Sequence, residues 1–198
     1  MYGLFLRALQ GYVTATFGGA QWSDVLAQAG VAGRGFEPLI SYRIGLFRDV
    51  IRAAGQVLDR PQDMILEDMG THIVANPVQP ALRRLLRFGG STFAEFLLSL
   101  EELPERARLA LPDIDFPRLE LSEAGPGEFR LTCRTEAPEL AHVMLGVLRA
   151  MADDYGALVI IDGARARMGQ AVLSIRLLEA RFAAGNRFDL AQSGPGHA

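Results

Sequence analysis

With 198 residues, 49% of them hydrophobic, the chain is long enough to bury a core without covalent staples. Its single cysteine, Cys133, excludes an intrachain disulfide and gives no sign of an oxidising compartment. The formal charge is −3 and every basic residue is a scattered arginine, so there is no basic footprint for nucleic acid and no lysine for Schiff-base chemistry.

Leu4, Leu6, Leu9, Val13 and Phe17 recur at helical spacing and predict a first helix over 1–17, stopped by Gly18-Gly19. Arg7 and Gln10 interrupt this stretch and no cleavage-like site follows, so it reads as a buried helix and not a signal peptide. No apolar run approaches the roughly 20 residues that cross a bilayer, and the expectation is a cytoplasmic protein outside the membrane. A second helix is predicted from Gln21 to Gly30, with Trp22, Val25, Leu26 and Ala29 on one face. A glycine-rich loop containing Phe36-Glu37-Pro38 follows, then a third helix through Ile44, Phe47, Val50 and Ile51 that closes at Gly55. Asp59 as cap and Pro61 as first residue open a fourth helix to about Ala75. Ser91 or Thr92 caps a further helix through Phe96, Leu97 and Leu100.

The period then changes. Leu119–Leu121 and Phe129–Cys133 read as strands joined by the turn residues Gly125-Pro126-Gly127. A helix from Pro138 to Tyr155 carries Leu140, Val143, Met144, Val147, Leu148 and Met151, and two more strands, Leu158–Asp162 and Ala171–Leu177, meet around Met168-Gly169. This order predicts an α+β fold, an N-terminal helical subdomain packed on a C-terminal subdomain with a four-stranded antiparallel sheet and a crossing helix. The helical part spans about 1–90 and the sheet part about 91–177, while the polar, glycine-rich extension 178–198 is expected to fray.

Several stretches in order carry a resemblance. Met1-Tyr2-Gly3 with Arg7–Gln10, Phe36–Leu39, and above all Phe96-Leu97-Leu98-Ser99-Leu100-Glu101-Glu102-Leu103-Pro104 followed by Pro112–Pro117 resemble the heme nitric-oxide/oxygen-binding (H-NOX) family over about residues 1–177. In that family the longest run reads approximately F-L-x-x-L-D-x-I-H, then P-x-L-x-P-P. The resemblance implies an H-NOX-like fold, a heme cofactor, and gas sensing with signalling to a partner such as a cyclase, a histidine kinase or a chemotaxis component, as in the standalone bacterial proteins. The family's iron-ligating histidine falls on Pro104, and its Y-x-S-x-R motif, which holds the heme propionates, falls on Cys133, Thr135 and Ala137.

These substitutions have direct chemical consequences. Proline has no side-chain lone pair to give to iron, and alanine cannot replace a two-pronged guanidinium clamp on carboxylates. Of the motif positions only Thr135 keeps a comparable donor, and Arg134, one residue displaced on an alternating strand, points to the opposite face. The expectation is therefore weak or absent heme binding, and a helix that restarts at Pro104 with Glu105 in its first turn. The resemblance makes Leu100, Phe5 and Ile73 pocket walls and Pro117 the proline that packs on the porphyrin. With Leu9 and Ile73 apolar on the distal side, any bound heme is expected to favour nitric oxide or carbon monoxide over oxygen. His72 is the alternative iron ligand, ahead of His142 and of His197 in the tail; Cys133 is expected to be an inert buried thiol.

Three functions of different class follow. The first is a ligand-responsive regulatory module whose apolar pocket holds unconventional heme, another tetrapyrrole or a lipid-like molecule. The second is a heme-free interaction module whose pocket is filled by Phe5, Phe96 and Phe116. Catalysis is the third, and the sequence argues against it. It has no nucleophile elbow, phosphate loop or metal-ligand spacing, and in Glu101-Glu102 and Asp153-Asp154 the adjacent carboxylates diverge on a helix.

Overall fold

The computed structural model describes residues 3–33, 35–38, 40–75, 86, 89–110, 117–167 and 169–179. Glycines and a proline cut the N-terminal sequence into four helices. α1 (Gly3–Phe17) and α2 (Gly19–Gln28) are separated by Gly18 alone, whose φ of 97° breaks the helical path. α2 thus starts two residues before the predicted Gln21.

α3 (Ile44–Leu58) does not close at Gly55 but runs one turn further. It ends on Asp59, in the left-handed region at φ 50°, and the Arg60 N–H returns to the Gly55 carbonyl. Asp59 therefore caps the C-terminus of α3 instead of opening the next helix. The reason is Pro61, which disfavours helical geometry at Arg60 and forces the stop just upstream, where an aspartate tolerates a positive φ. α4 (Gln62–Ala75) follows, the Pro61 carbonyl accepting from the Ile65 N–H.

Thr92 and Glu95 form a capping box at the start of α5 (Phe93–Leu98), with the Glu95 N–H donating to Thr92 Oγ1 at 3.2 Å. A 3-10 turn over Ser99–Glu102 leads into α6 (Leu103–Ala110). The helix restarts as expected, with Pro104 in its first turn, where the missing N–H costs no intrahelical bond.

β1 (Arg118–Gly125), β2 (Glu128–Arg134), β3 (Leu158–Arg167) and β4 (Gln170–Glu179) form one antiparallel sheet in the order β1-β2-β4-β3. Each strand is longer than its apolar stretch because ladder pairing continues through the polar hairpin residues; in the β1–β2 turn Gly127 takes φ 71° and its carbonyl accepts from the Leu177 N–H. Between the hairpins α7 (Leu140–Tyr155) crosses one face of the sheet.

Two hydrophobic clusters result. Leu6, Leu9, Val13, Val25, Phe47 and Ile65 pack among α1–α4, joined by Leu140 and Val143 from the first turn of α7. Phe96, Leu97 and Leu100 pack with Leu131, Leu173 and Ile175 of the sheet, joined by Leu148 and Met151 from the rest of α7. α7 thus belongs to both, and it meets α4 at a crossing of two glycines. A Cβ on Gly70 would overlap the Val143 carbonyl, and one on Gly146 the Glu67 carbonyl. Thr71 Oγ1 lies 3.4 Å from the Gly146 carbonyl, and Arg149 forms an ion pair with Glu67 across the same contact. No described helix is long and apolar enough to cross a membrane.

The crossing yields a contrast between two glycines. At Gly11, in mid-α1, an added Cβ would meet nothing within 4 Å, so Gly11→Ala should stabilise by about 0.5–1 kcal/mol through helix propensity. Gly146→Ala should cost about 1–3 kcal/mol by forcing the helices apart. Urea melts of the two variants measure both, and equal effects of one sign would refute the close crossing.

Candidate ligand-binding site

Pro104 is buried in the first turn of α6, and its neighbourhood is held by three local bonds. Arg106 Nη2 donates to the Ser99 carbonyl at 2.7 Å, Ser99 Oγ donates to the Phe96 carbonyl at 2.7 Å, and the Leu121 N–H donates to Glu101 Oε1 at 2.8 Å. The last bond ties the 3-10 turn to β1, so Glu101 is a structural carboxylate. Leu100, in the same turn, is 1% exposed.

The three positions of the propionate motif lie at the end of β2 and just beyond. Cys133 is buried opposite Leu119 and Ala171, and burial pushes its thiol up to about 12. Thr135 Oγ1 accepts from the Ala137 N–H at 3.2 Å, while the Thr135 N–H donates to the Gly169 carbonyl. Ala137 is fully buried and packs in the helical core beside Leu140. Arg134 lies on the outer face, as strand alternation requires; both its Nε and Nη2 are 3.1 Å from the Glu120 carboxylate, which they hold below its usual pKa. It is turned away from Cys133 and Ala137.

The remaining predicted residues divide between the two cores. Leu9 is fully buried, Ile73 is partly buried against the helical core, and Phe5 meets the Phe47 ring edge-on at 6.5 Å. Phe96, expected as a pocket filler, is buried and packs its ring on Phe93 and Tyr155, each ring centroid 5.8 Å away. Pro117, half-buried, leads into β1. Pro112–Phe116 and His197 lie outside the described residues.

His72 stands on α4 with its ring 5.8 Å from Tyr12, and burial lowers its pKa and favours the neutral imidazole. Tyr12 donates to Asp68 Oδ2 at 3.0 Å, Arg60 reaches the same oxygen at 3.3 Å, and burial with that bond raises the phenol to about 12. This cluster pins α1 to α4 and was not legible in the sequence, since Tyr12 and Asp68 are 56 positions apart. Another unforeseen tie is Arg48 of α3, whose Nε is 2.6 Å from Glu139 Oε1 just before α7. These two residues line an open groove of about 360 Å3 that also contains His142.

The donor set does not fit an iron-centred macrocycle held from α6, because Pro104 offers no side-chain lone pair and Ala137 no charge. Of the predicted pocket residues, Leu9 and Leu100 are at most 1% exposed, while Phe5 and Ile73 are partly buried. What the arrangement offers chemically is apolar contact and backbone hydrogen bonding.

The haem-NO-binding family matches residues 2–162. The soluble guanylate cyclase gcy-31 of Caenorhabditis elegans is 25% identical over 154 residues; the match covers 78% of this chain but only 22% of the cyclase. A triple mutant of an H-NOX protein from S. oneidensis in the Fe(II) ligation state superposes with a TM-score of 0.76 at 16% identity, covering 91% of this chain and 97% of that one. The Fe(II) unliganded H-NOX protein from K. algicida gives 0.76 at 17% identity, covering 91% and 98%. These structural likenesses establish the fold.

The Cys133 environment predicts both reactivity and pH dependence. A thiol titrating at 9.0 when unfolded and at about 12 when folded binds its proton more tightly in the native state. Its contribution to stability is complete below pH 9 and is lost as the pH rises from there toward 12. DTNB at pH 8 should leave the native protein unlabelled and modify one thiol after unfolding. Denaturant melts between pH 8 and 11 should show a decline that is smaller in Cys133→Val.

Proposed function

Because the chain belongs to the haem-NO-binding (H-NOX) family, one of sensor domains and not of catalytic ones, we propose that it is a regulatory module whose interior site no longer ligates iron from α6. The observation that supports this reading is the burial of Pro104, the residue on which the resemblance of Phe96–Pro104 to the family's motif implies an imidazole. Ala137 and Cys133 extend it, because the carboxylate clamp is replaced by groups that suit an apolar occupant. The occupant in this reading is a small apolar molecule, or a tetrapyrrole held without its usual proximal bond.

Signalling follows from how the two cores are joined. α7 packs in both, and its glycine crossing with α4 leaves no slack for independent repacking of either. An occupant that favours one arrangement of α5 and α6 against the sheet shifts α7, and with it the helical half. The likeness to a guanylate cyclase supports an effector of the cyclase class, and the family resemblance adds a histidine kinase. A second reading, a heme-free interaction module, draws on the near-complete burial of Leu6, Leu9, Leu97 and Leu100.

Absorption and native mass spectrometry of the protein as purified test the proposal. The expected result is no Soret band, with a native mass above the 21.6 kDa of the chain by one non-covalent small molecule. The chain mass alone selects the heme-free module. A stoichiometric Soret band with iron ligated by the protein overturns both. Pro104→His should gain a weak, saturable heme band, limited by the missing clamp at Ala137; tight binding by this variant would mean that the clamp matters little.

A further inference from the structure

A furrow of about 510 Å3 lies between α1, α2 and the turn that follows α2. Gln10 and Thr14 of α1 form one wall, Trp22, Ser23 and Leu26 share one face of α2, and Val31 stands beyond them. Among the described residues, the lining includes no charged side chain and nothing from α5, α6, α7 or the sheet, so the furrow is separate from the interior site. Trp22 is 4% exposed, and its Nε1–H is buried without a hydrogen-bond partner. Buried indole N–H groups ordinarily find an acceptor, because losing water without one is costly. The polar neighbours in the furrow are already engaged. Gln10 Oε1 accepts from the Phe36 N–H at 3.2 Å, which sets the Phe36 ring edge-on to the indole with centroids 6.2 Å apart, and Ser23 Oγ donates back to the Gly19 carbonyl at 3.0 Å.

We propose that this furrow is a second binding site, for a small neutral molecule with an apolar body and a carbonyl-type acceptor that the Trp22 Nε1–H engages. Neutrality follows from the walls: with no charged side chain among the described ones, a carboxylate or ammonium group would shed its water without compensation. The size follows from the volume, which lies within the roughly 300–1,000 Å3 range of small-molecule sites. Leu26 and Val31 take the apolar body, and the exposed Thr14 hydroxyl offers a second polar contact. Nε1 is covered while the furrow is closed, so the acceptor reaches it through a shift of α2. That helix is flanked by Gly18 and Gly30, at φ 97° and 66°, where an added Cβ would meet nothing within 4 Å and a change of backbone angle meets little steric resistance.

Trp22 is the only tryptophan, so the isotope-labelled full chain gives a single indole N–H cross-peak in a nitrogen–proton correlation spectrum. Titration with the neutral ring carbonyl compounds ε-caprolactam, cyclohexanone and coumarin should move that peak downfield along a saturable curve for at least one of them. Hexanoate, of similar size but charged, should leave it in place. Ala27→Phe puts a ring into the furrow from an exposed helix position, and it should raise the apparent dissociation constant by about tenfold while the cross-peak persists as a sign of an intact fold. A peak that none of the three carbonyl compounds moves overturns the proposal, and so does a shift that hexanoate reproduces or that Ala27→Phe leaves unchanged. Magnetisation transfer from a long-lived water to the indole proton at saturating carbonyl compound also overturns it, in favour of a resident water as the acceptor.

Discussion

α4 and α7 touch backbone to backbone because Gly70 and Gly146 present no side chain at their crossing. That contact fixes where α7 lies, and α7 in turn places its first turn in the helical core and its remaining length against the sheet. Bulk at either glycine would not merely loosen one pair of helices. It would shift two elements that each reach both cores, since α4 also places Ile65 and Met69 in the helical core and Val74 in the other. The surrounding polar contacts, Arg149 with Glu67 and Arg48 with Glu139, sit at the margins of the same joint and are partly exposed, so they orient the helices more than they stabilise them.

Pro104 has two consequences that arise from the same ring. Its locked φ and missing N–H are tolerated in the first turn of α6, so the chain breaks cleanly between the 3-10 turn and the next helix. The same ring leaves this position without any electron pair for a metal. The family fold is carried by apolar packing, which does not depend on what the side chain at position 104 can donate.

The exposed groups follow a different logic. Arg134 and Glu120 occupy the outer face of the sheet because alternation leaves them no other choice once Cys133 and Leu119 turn inward. The apolar corner at Leu158, Ile160 and Leu178 breaks that alternation of apolar inside and polar outside, which is what sets it apart from the rest of the sheet.

The linear sequence determined the helical and strand segments, the capping box at Thr92, the restart at Pro104, the opposite facing of Cys133 and Arg134, and the family, because these depend on period, caps and motifs within a few residues. It misjudged the end of α3, where Pro61 acts backwards through Arg60 to make Asp59 a C-cap, a competition between two adjacent signals. Only the tertiary structure decided that Phe96 stacks on Tyr155, that Tyr12 bonds Asp68, and that two glycines 76 positions apart share one crossing. Those contacts join residues far apart along the chain, and no local pattern encodes which distant neighbour a side chain will meet once the cores close.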